Sequence, residues 1–171
     1  MRYHFERYLN PVFIETGSLQ GKGIQAARDA GFAKIISIEL SKLYYDYCVE
    51  RFPDTEGVFL YHGDSARLLP GILEGIDERC TFWLDAHYSG GETAPGPIPL
   101  MAELLVIKDH HIKDHTIIID DMRLIRKPVE NWWEFPFKVK DIENILYSIN
   151  ENYDLHYEYG TDDDDILIAK I

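Results

Sequence analysis

Two cysteines in 171 residues, Cys48 and Cys80, are too few for a disulfide framework or a four-cysteine zinc site. Basic residues are also scarce: 17 Lys and Arg stand against 30 Asp and Glu, for a formal net charge of −13. Binding to a phosphate backbone depends on clustered Lys and Arg, so nucleic acid and anionic membrane are not expected partners. A metal cation or a cationic cofactor suits such a chain better. No apolar run approaches the ~18 residues that cross a bilayer. The opening residues, Met1 to Tyr8, lack the apolar stretch of a secretory signal. The expectation is a cytoplasmic protein in a reducing compartment. Repeats, low-complexity tracts and linkers are missing too, so residues 1–171 read as one domain, at ~100–200 residues per domain.

What is present is an alternation of short apolar runs and helical patterns. Pro11–Ile14, Lys34–Ile38, Val58–Tyr61, Cys80–Leu84 and Thr116–Ile119 read as strands, near-continuously apolar as in a sheet covered on both faces. Between them, Ile24/Ala27/Gly31, Leu40/Tyr44/Tyr47/Cys48, Leu68/Ile72/Ile76 and Leu100/Leu104/Ile107 recur at helical spacing. Pro70 is expected to break or restart the third of these helices, because its ring suits a first turn and not an interior. Val139/Ile142/Leu146/Ile149 mark a last amphipathic helix. Two strand-like runs, Leu155–Tyr159 and Ile166–Ile171, close the chain around Gly160 and the acidic run Asp162–Asp165, expected to be a solvated turn. Five βα units and a hairpin imply an α/β, doubly wound, Rossmann-like sheet of seven strands, mostly parallel with a C-terminal antiparallel hairpin. Ligands of such sheets bind beyond the carboxyl ends of the strands, where strand order reverses.

The residues just after each strand therefore carry the function. After the first comes Glu15-Thr-Gly-Ser-Leu-Gln-Gly21, whose glycines permit a sharp turn and a close ligand. A plain tight βα turn accounts for them equally well. Glu39 ends the second strand, about 20 residues after Gly17, where an acid can accept both hydroxyls of a ribose. Asp64 and Ser65 follow the third strand; either could meet an adenine amino group, and either could simply cap the next helix.

Asp85 ends strand four and the Asp120-Asp121 pair ends strand five. Three acids at neighbouring strand tips repel one another unless a cation lies between them, and a hard divalent ion suits them, Mg²⁺ first and Mn²⁺ next. Helix capping and exposure to water are the bland alternative. His87, two residues beyond Asp85, is a general-base candidate by its near-neutral pKa. The cluster His110-His-Ile-Lys-Asp-His115 is read as a helix C-terminal preference for His rather than a metal site.

Glu15-Thr-Gly17…Gly21, Glu39, Gly63-Asp-Ser65 and Asp85 together resemble the successive motifs of class I S-adenosylmethionine-dependent methyltransferases, from Val12 to Ile171. Asp85…Asp120-Asp121 is similar to the metal-binding acids of divalent-metal-dependent O-methyltransferases, the macrocin-type branch most and the catechol-type less. The resemblance implies that Glu15, Gly17, Ser18 and Gly21 surround the methionine moiety, Glu39 the ribose, and Asp64 with Ser65 the adenine, with Asp85 beside the cofactor. It implies methyl transfer to a hydroxyl held by a metal on Asp85, Asp120 and Asp121, with His87 in the place of the family's base. The substrate would be a small sugar- or diol-like molecule. The aromatic segment that leaves directly from Asp120-Asp121, with Trp132, Trp133, Phe135 and Phe137, either closes as a lid over the acceptor or packs its loop onto the core. A homodimer would supply the cover this short chain lacks, a reading reached by elimination. Two rivals stand beside this one: a non-catalytic cofactor-binding module that acts through a protein partner, and a nucleotide-dependent oxidoreductase. The second is weakened by the missing Gly-x-Gly-x-x-Gly.

Overall fold

In the computed structural model, every one of the five central runs becomes a strand followed by a helix. The structure describes residues 4–53, 56–87, 93, 98–126 and 136–171. Strands β1 Val12–Thr16, β2 Lys34–Glu39, β3 Val58–His62, β4 Cys80–Leu84 and β5 Thr116–Ile119 are parallel; β6 Asp154–Glu158 and β7 Ile166–Lys170 form the antiparallel hairpin. The helices are α1 Lys22–Ala30, α2 Lys42–Arg51, α3 Ser65–Leu73, α4 Leu100–Asp109, α5 Met122–Arg126 and α6 Val139–Ile149. One seven-stranded sheet results, in the order β3-β2-β1-β4-β5-β7-β6.

The period of two along each strand divides the core between the faces. Val12, Ile14, Ile36, Phe82, Leu84 and Ile117 pack with Leu69 of α3, Leu104 of α4 and Leu146 of α6. On the other face Phe13, Ile35, Trp83 and Ile118 pack with Ile24 and Ala27 of α1 and Cys48 of α2. Both faces are covered, which explains the continuous apolar runs. The strand order reverses between β1 and β4, so their carboxyl ends open a cleft.

Three details differ from the sequence expectation. Helix α3 runs through Pro70 unbroken. The proline lies on an exposed part of the helix, where water can reach the Ala66 carbonyl that loses its i+4 donor. The short helix α5, directly after β5, carries too few residues to show a period. His110 and His115 do not bind helix carbonyls through their rings; they form a buried pair at the amino end of β4.

That pair has a determined proton arrangement. The Cys80 N–H donates to His115 Nδ1 (2.9 Å), so that nitrogen is bare; His115 Nε2 then donates to His110 Nδ1 (2.9 Å), and His110 Nε2 to the Ile76 carbonyl (3.0 Å). A further proton on either ring would set N–H against N–H. Burial, with the neighbouring His110 and His111, pulls the His115 pKa down from 6.5 to about 4, against the opposing pull of Asp114. The folded value lies below the unfolded one, so this contribution to stability is complete above about pH 6.5 and is lost as the pH falls through about 4. Glu15 and Glu103 have raised pKa values and act in the opposite direction, so a difference measurement is needed. Denaturant unfolding of wild type and His115→Gln should show the gap between them narrowing by about 1–2 kcal/mol from pH 7 to pH 5. A gap independent of pH would contradict the neutral pair.

Candidate cofactor and metal site

A cavity of about 320 Å³ opens at the carboxyl ends of β1 to β4, lined among others by Gly17, Leu19, Glu39, Leu40, Asp64, Ser65, Asp85 and His87. That volume is in the range of small-molecule sites. It lies at the β1/β4 reversal, as the topology requires. Gly17 has φ +87°, and a Cβ there would stand 2.6 Å from the Asp85 carbonyl oxygen. The exit of β4 thus presses on the exit of β1, and only glycine fits between them.

Glu39 is buried at the tip of β2, and each of its oxygens is anchored. Oε2 accepts the Leu19 N–H (2.8 Å) and Oε1 the Ser41 N–H (2.7 Å). The carboxylate is therefore fixed in direction while lining the cavity, with lone pairs left over for a ligand's hydroxyls.

Asp64 caps α3, accepting the Ala66 N–H at 3.0 Å, and lies 3.4 Å from Arg67 Nε; it also lines the cavity. The Ser65 hydroxyl donates to buried Glu103 of α4. Burial lifts the Glu103 carboxyl to about 7, against the hydroxyls of Ser65 and Thr16, which hold it down. Glu15, Ser18 and Gly21 stand behind the cavity wall. Glu15 shares the α1 face of the sheet with Phe13, and its carboxylate accepts the Ser37 hydroxyl, itself 2.5 Å from that of Ser18. Burial pushes Glu15 up to about 8. Gly23 faces it, for a Cβ there would stand 1.9 Å from Glu15 Oε1. Gly21, at φ +69°, backs onto Phe52 and Cys48.

The second constellation is a ladder of alternating charge. His87 lies between two carboxylates, Nδ1 at 3.3 Å from Asp85 and Nε2 at 2.7 Å from Asp121. Arg123 of α5 pairs with Asp121 and with Asp165 (2.5 Å). Asp165 also accepts the Arg123 N–H at 3.0 Å and the Thr161 N–H at 2.8 Å. Asp121 reaches His87 from a backbone at φ +60°, a conformation Asp tolerates better than most.

Burial alone would lower the His87 imidazolium, but the hydrogen bonds and charges of Asp121 and Asp85 outweigh it and push the pKa to about 10. Burial raises Asp85 despite His87; at Asp121, His87 and Arg123 overcome burial and the pKa falls. Asp120, buried beside Asp85 and Asp121, is lifted to about 8 by desolvation and their charge. Its carboxylate accepts the Asp121 N–H (2.8 Å).

The three acids expected to share a cation divide between two groups. Donor atoms of Asp85, His87 and Asp121 lie within 4.8 Å of one another, as do those of Asp120, Asp121 and Asp165. The first group brings a nitrogen donor that the expected trio does not contain. Arg123 and Asp165 were not among the expected site residues. Asp165 is the buried end of the acidic run expected to lie in water; its fixed offset after Gly160 gives no sign of that. The aromatic cluster of the expected lid, Trp132, Trp133 and Phe135, lies outside the described residues, while Phe137 is buried in the α6 core.

No protein-family model matches the chain, and no curated protein matches it in sequence. Solved structures do. SMU.1697c from Streptococcus mutans, provisionally described as a methyltransferase and solved in complex with SAH, superposes with a TM-score of 0.62 at 11% identity, over 98% of this chain and 93% of that one. A protein from Klebsiella pneumoniae, provisionally described as an O-methyltransferase, gives a TM-score of 0.53 at 16% identity over 95% of this chain and 73% of that one. The chain has the Rossmann-like methyltransferase fold. The N-methyltransferase NodS from Bradyrhizobium japonicum WM9 also has this methyltransferase fold, with a TM-score of 0.57 at 11% identity over 96% of this chain and 86% of that one. O- and N-methyltransferases share it, so function must be argued from the site. Among the described residues, no helix is long and apolar enough to cross a membrane.

Proposed function

We propose that the protein transfers a methyl group from S-adenosylmethionine to a hydroxyl of a small sugar- or diol-like molecule, with the help of a divalent metal ion. The observation that carries this reading is Glu39, held by two backbone N–H groups and presented to a cavity at the strand-order reversal. A carboxylate fixed there suits a ribose diol. The acids around it, Asp64 and Asp85, favour a sulfonium over a phosphate-bearing cofactor. The charge of −13 likewise favours a small acceptor over nucleic acid.

The donor set fits a divalent cation. Two carboxylates converge at Asp85 and Asp121, with His87 between them and Asp120 adjacent. Oxygen donors suit Mg²⁺ first and Mn²⁺ next. A cation held by Asp85 and Asp121 would lower the pKa of an acceptor hydroxyl and hold it in line. In the free protein the His87 imidazolium balances the carboxylates that such a cation would engage. His87 acts as base once it is neutral, and Arg123, fixed by Asp165, keeps Asp121 directed at it.

Asp121→Asn removes one negative charge from the set and is expected to weaken Mn²⁺ binding by about tenfold or more. The signal of free Mn²⁺ in magnetic-resonance titrations measures this, and an unchanged affinity would remove Asp121 from the metal. The reaction itself is tested by incubating the protein with S-adenosylmethionine, Mn²⁺ or Mg²⁺, and a panel of sugars and aromatic diols. Release of S-adenosylhomocysteine that chelator abolishes is expected. Binding of both cofactor and metal with no product from any acceptor would favour the non-catalytic module instead.

A further inference from the structure

The turn after β1 spends conformational strain on a side chain that the core does not use. The Gly21 N–H donates to the Ser18 carbonyl at 2.7 Å, closing a four-residue turn with Leu19 as its first central residue. Leu19 has φ +45°. Turns with positive φ at that position are ordinarily made with Gly, Asn or Asp, because a Cβ crowds the following carbonyl. Burial does not offset the strain: the Leu19 side chain is 39% exposed and lines the cavity.

The surrounding contacts over-determine this conformation. Glu39 takes the Leu19 N–H at 2.8 Å, the Cys48 thiol donates to the Leu19 carbonyl at 3.4 Å, and Arg51 donates to the Gln20 carbonyl at 2.5 Å. Leu40, 46% exposed, lines the same cavity. The fixed carboxylate of Glu39 is thus flanked by two leucines open to the cavity. A dinucleotide's pyrophosphate would need the amides of this loop. Three of them are donated within the protein: Gly17 to the Ile38 carbonyl, Leu19 to Glu39, and Gly21 to Ser18.

We infer that Leu19 is a specificity-determining residue of the cavity: its strained backbone holds an apolar side chain against a nucleoside seated on Glu39 and denies the loop's amides to phosphate. This rests on the reading of the cavity as an S-adenosylmethionine site and deepens it. The selected ligand class is an adenine nucleoside without a diphosphate.

The test is calorimetric titration of wild type, Leu19→Gly, Leu19→Ala and Leu19→Met with S-adenosylmethionine and with ADP, alongside thermal unfolding of each free protein. Leu19→Gly removes both side chain and strain; it should bind S-adenosylmethionine about tenfold more weakly, as for a lost apolar contact, and unfold no lower than wild type. Leu19→Ala keeps the strain without the contact, so it should bind as weakly as Leu19→Gly and unfold below it. Leu19→Met should restore affinity to within about threefold of wild type. ADP should bind wild type at least about a hundredfold more weakly than S-adenosylmethionine. Wild-type affinity in Leu19→Gly and Leu19→Ala would overturn the inference, as would a markedly lower unfolding temperature for Leu19→Gly, which would make the side chain a packing element. ADP binding comparable to S-adenosylmethionine would overturn the exclusion of phosphate. Failure of the wild type to bind S-adenosylmethionine is a separate result, which would overturn the reading of the cavity and this inference with it.

Discussion

His87→Gln is expected to lower turnover about 10²–10⁴-fold, the contribution of a positioned general base, while leaving S-adenosylmethionine affinity within about threefold. Glutamine keeps polarity and bulk but cannot accept and release a proton. The pH dependence should reveal the mechanism more fully than the rate. In the free protein Asp121 and Asp85 hold the His87 imidazolium with a pKa of about 10. Only the neutral ring is a base, so in metal-free protein the His87 ring should lose its proton only as the pH climbs toward about 10. Whatever engages the two carboxylates removes the charges that sustain the imidazolium, so added Mg²⁺ should move this titration to lower pH, and the rise of turnover with it. Magnetic-resonance titration of the His87 ring with and without Mg²⁺, and stopped-time assays across pH with Mg²⁺ present, measure both effects. A His87→Gln enzyme with the wild-type rate and profile would show that another group moves the proton.

Glu39→Ala is expected to weaken S-adenosylmethionine binding by ~1.5–3 kcal/mol, about 10- to 150-fold. Two losses act together. The ribose hydroxyls lose a charged acceptor, and the N–H groups of Leu19 and Ser41 lose the carboxylate that holds the loop and the start of α2. Glu39→Gln separates them, since its single carbonyl can keep one of the two N–H bonds and its amide cannot accept from a hydroxyl. Affinity should fall in the order wild type, Glu39→Gln, Glu39→Ala. Unchanged affinity in both variants would remove Glu39 from the site.

Much of this site follows from the strands alone. Continuous apolar runs such as Thr116–Ile119 are what a sheet covered on both faces needs, and the topology then places Gly17, Glu39, Asp64 and Asp85 around one cleft. Glu15, placed beside the methionine moiety by the resemblance, instead shares the face of Phe13, accepting the Ser37 hydroxyl and facing Gly23 of α1. What the sequence conceals is set by contacts between distant segments. Asp165 is buried because Arg123, 42 positions away in the chain, reaches it. His110 and His115 become a proton-ordered pair only because the Ile76 carbonyl and Cys80 N–H arrive on either side. Leu19 is unremarkable as a letter; its φ of +45° is imposed by Glu39, Cys48 and Gly21 together. His87 was legible as a base candidate and Asp121 as an acid at the neighbouring strand tip of β5; their direct pairing at 2.7 Å is what the fold adds.

The central claim is that the cavity beyond β1 and β4 holds S-adenosylmethionine. Calorimetric titration of the protein with S-adenosylmethionine and with NAD, each with and without Mg²⁺, addresses it most directly. Saturable one-to-one binding of S-adenosylmethionine, with no comparable heat from NAD, is the predicted result. Saturable binding of NAD with none of S-adenosylmethionine would contradict the account.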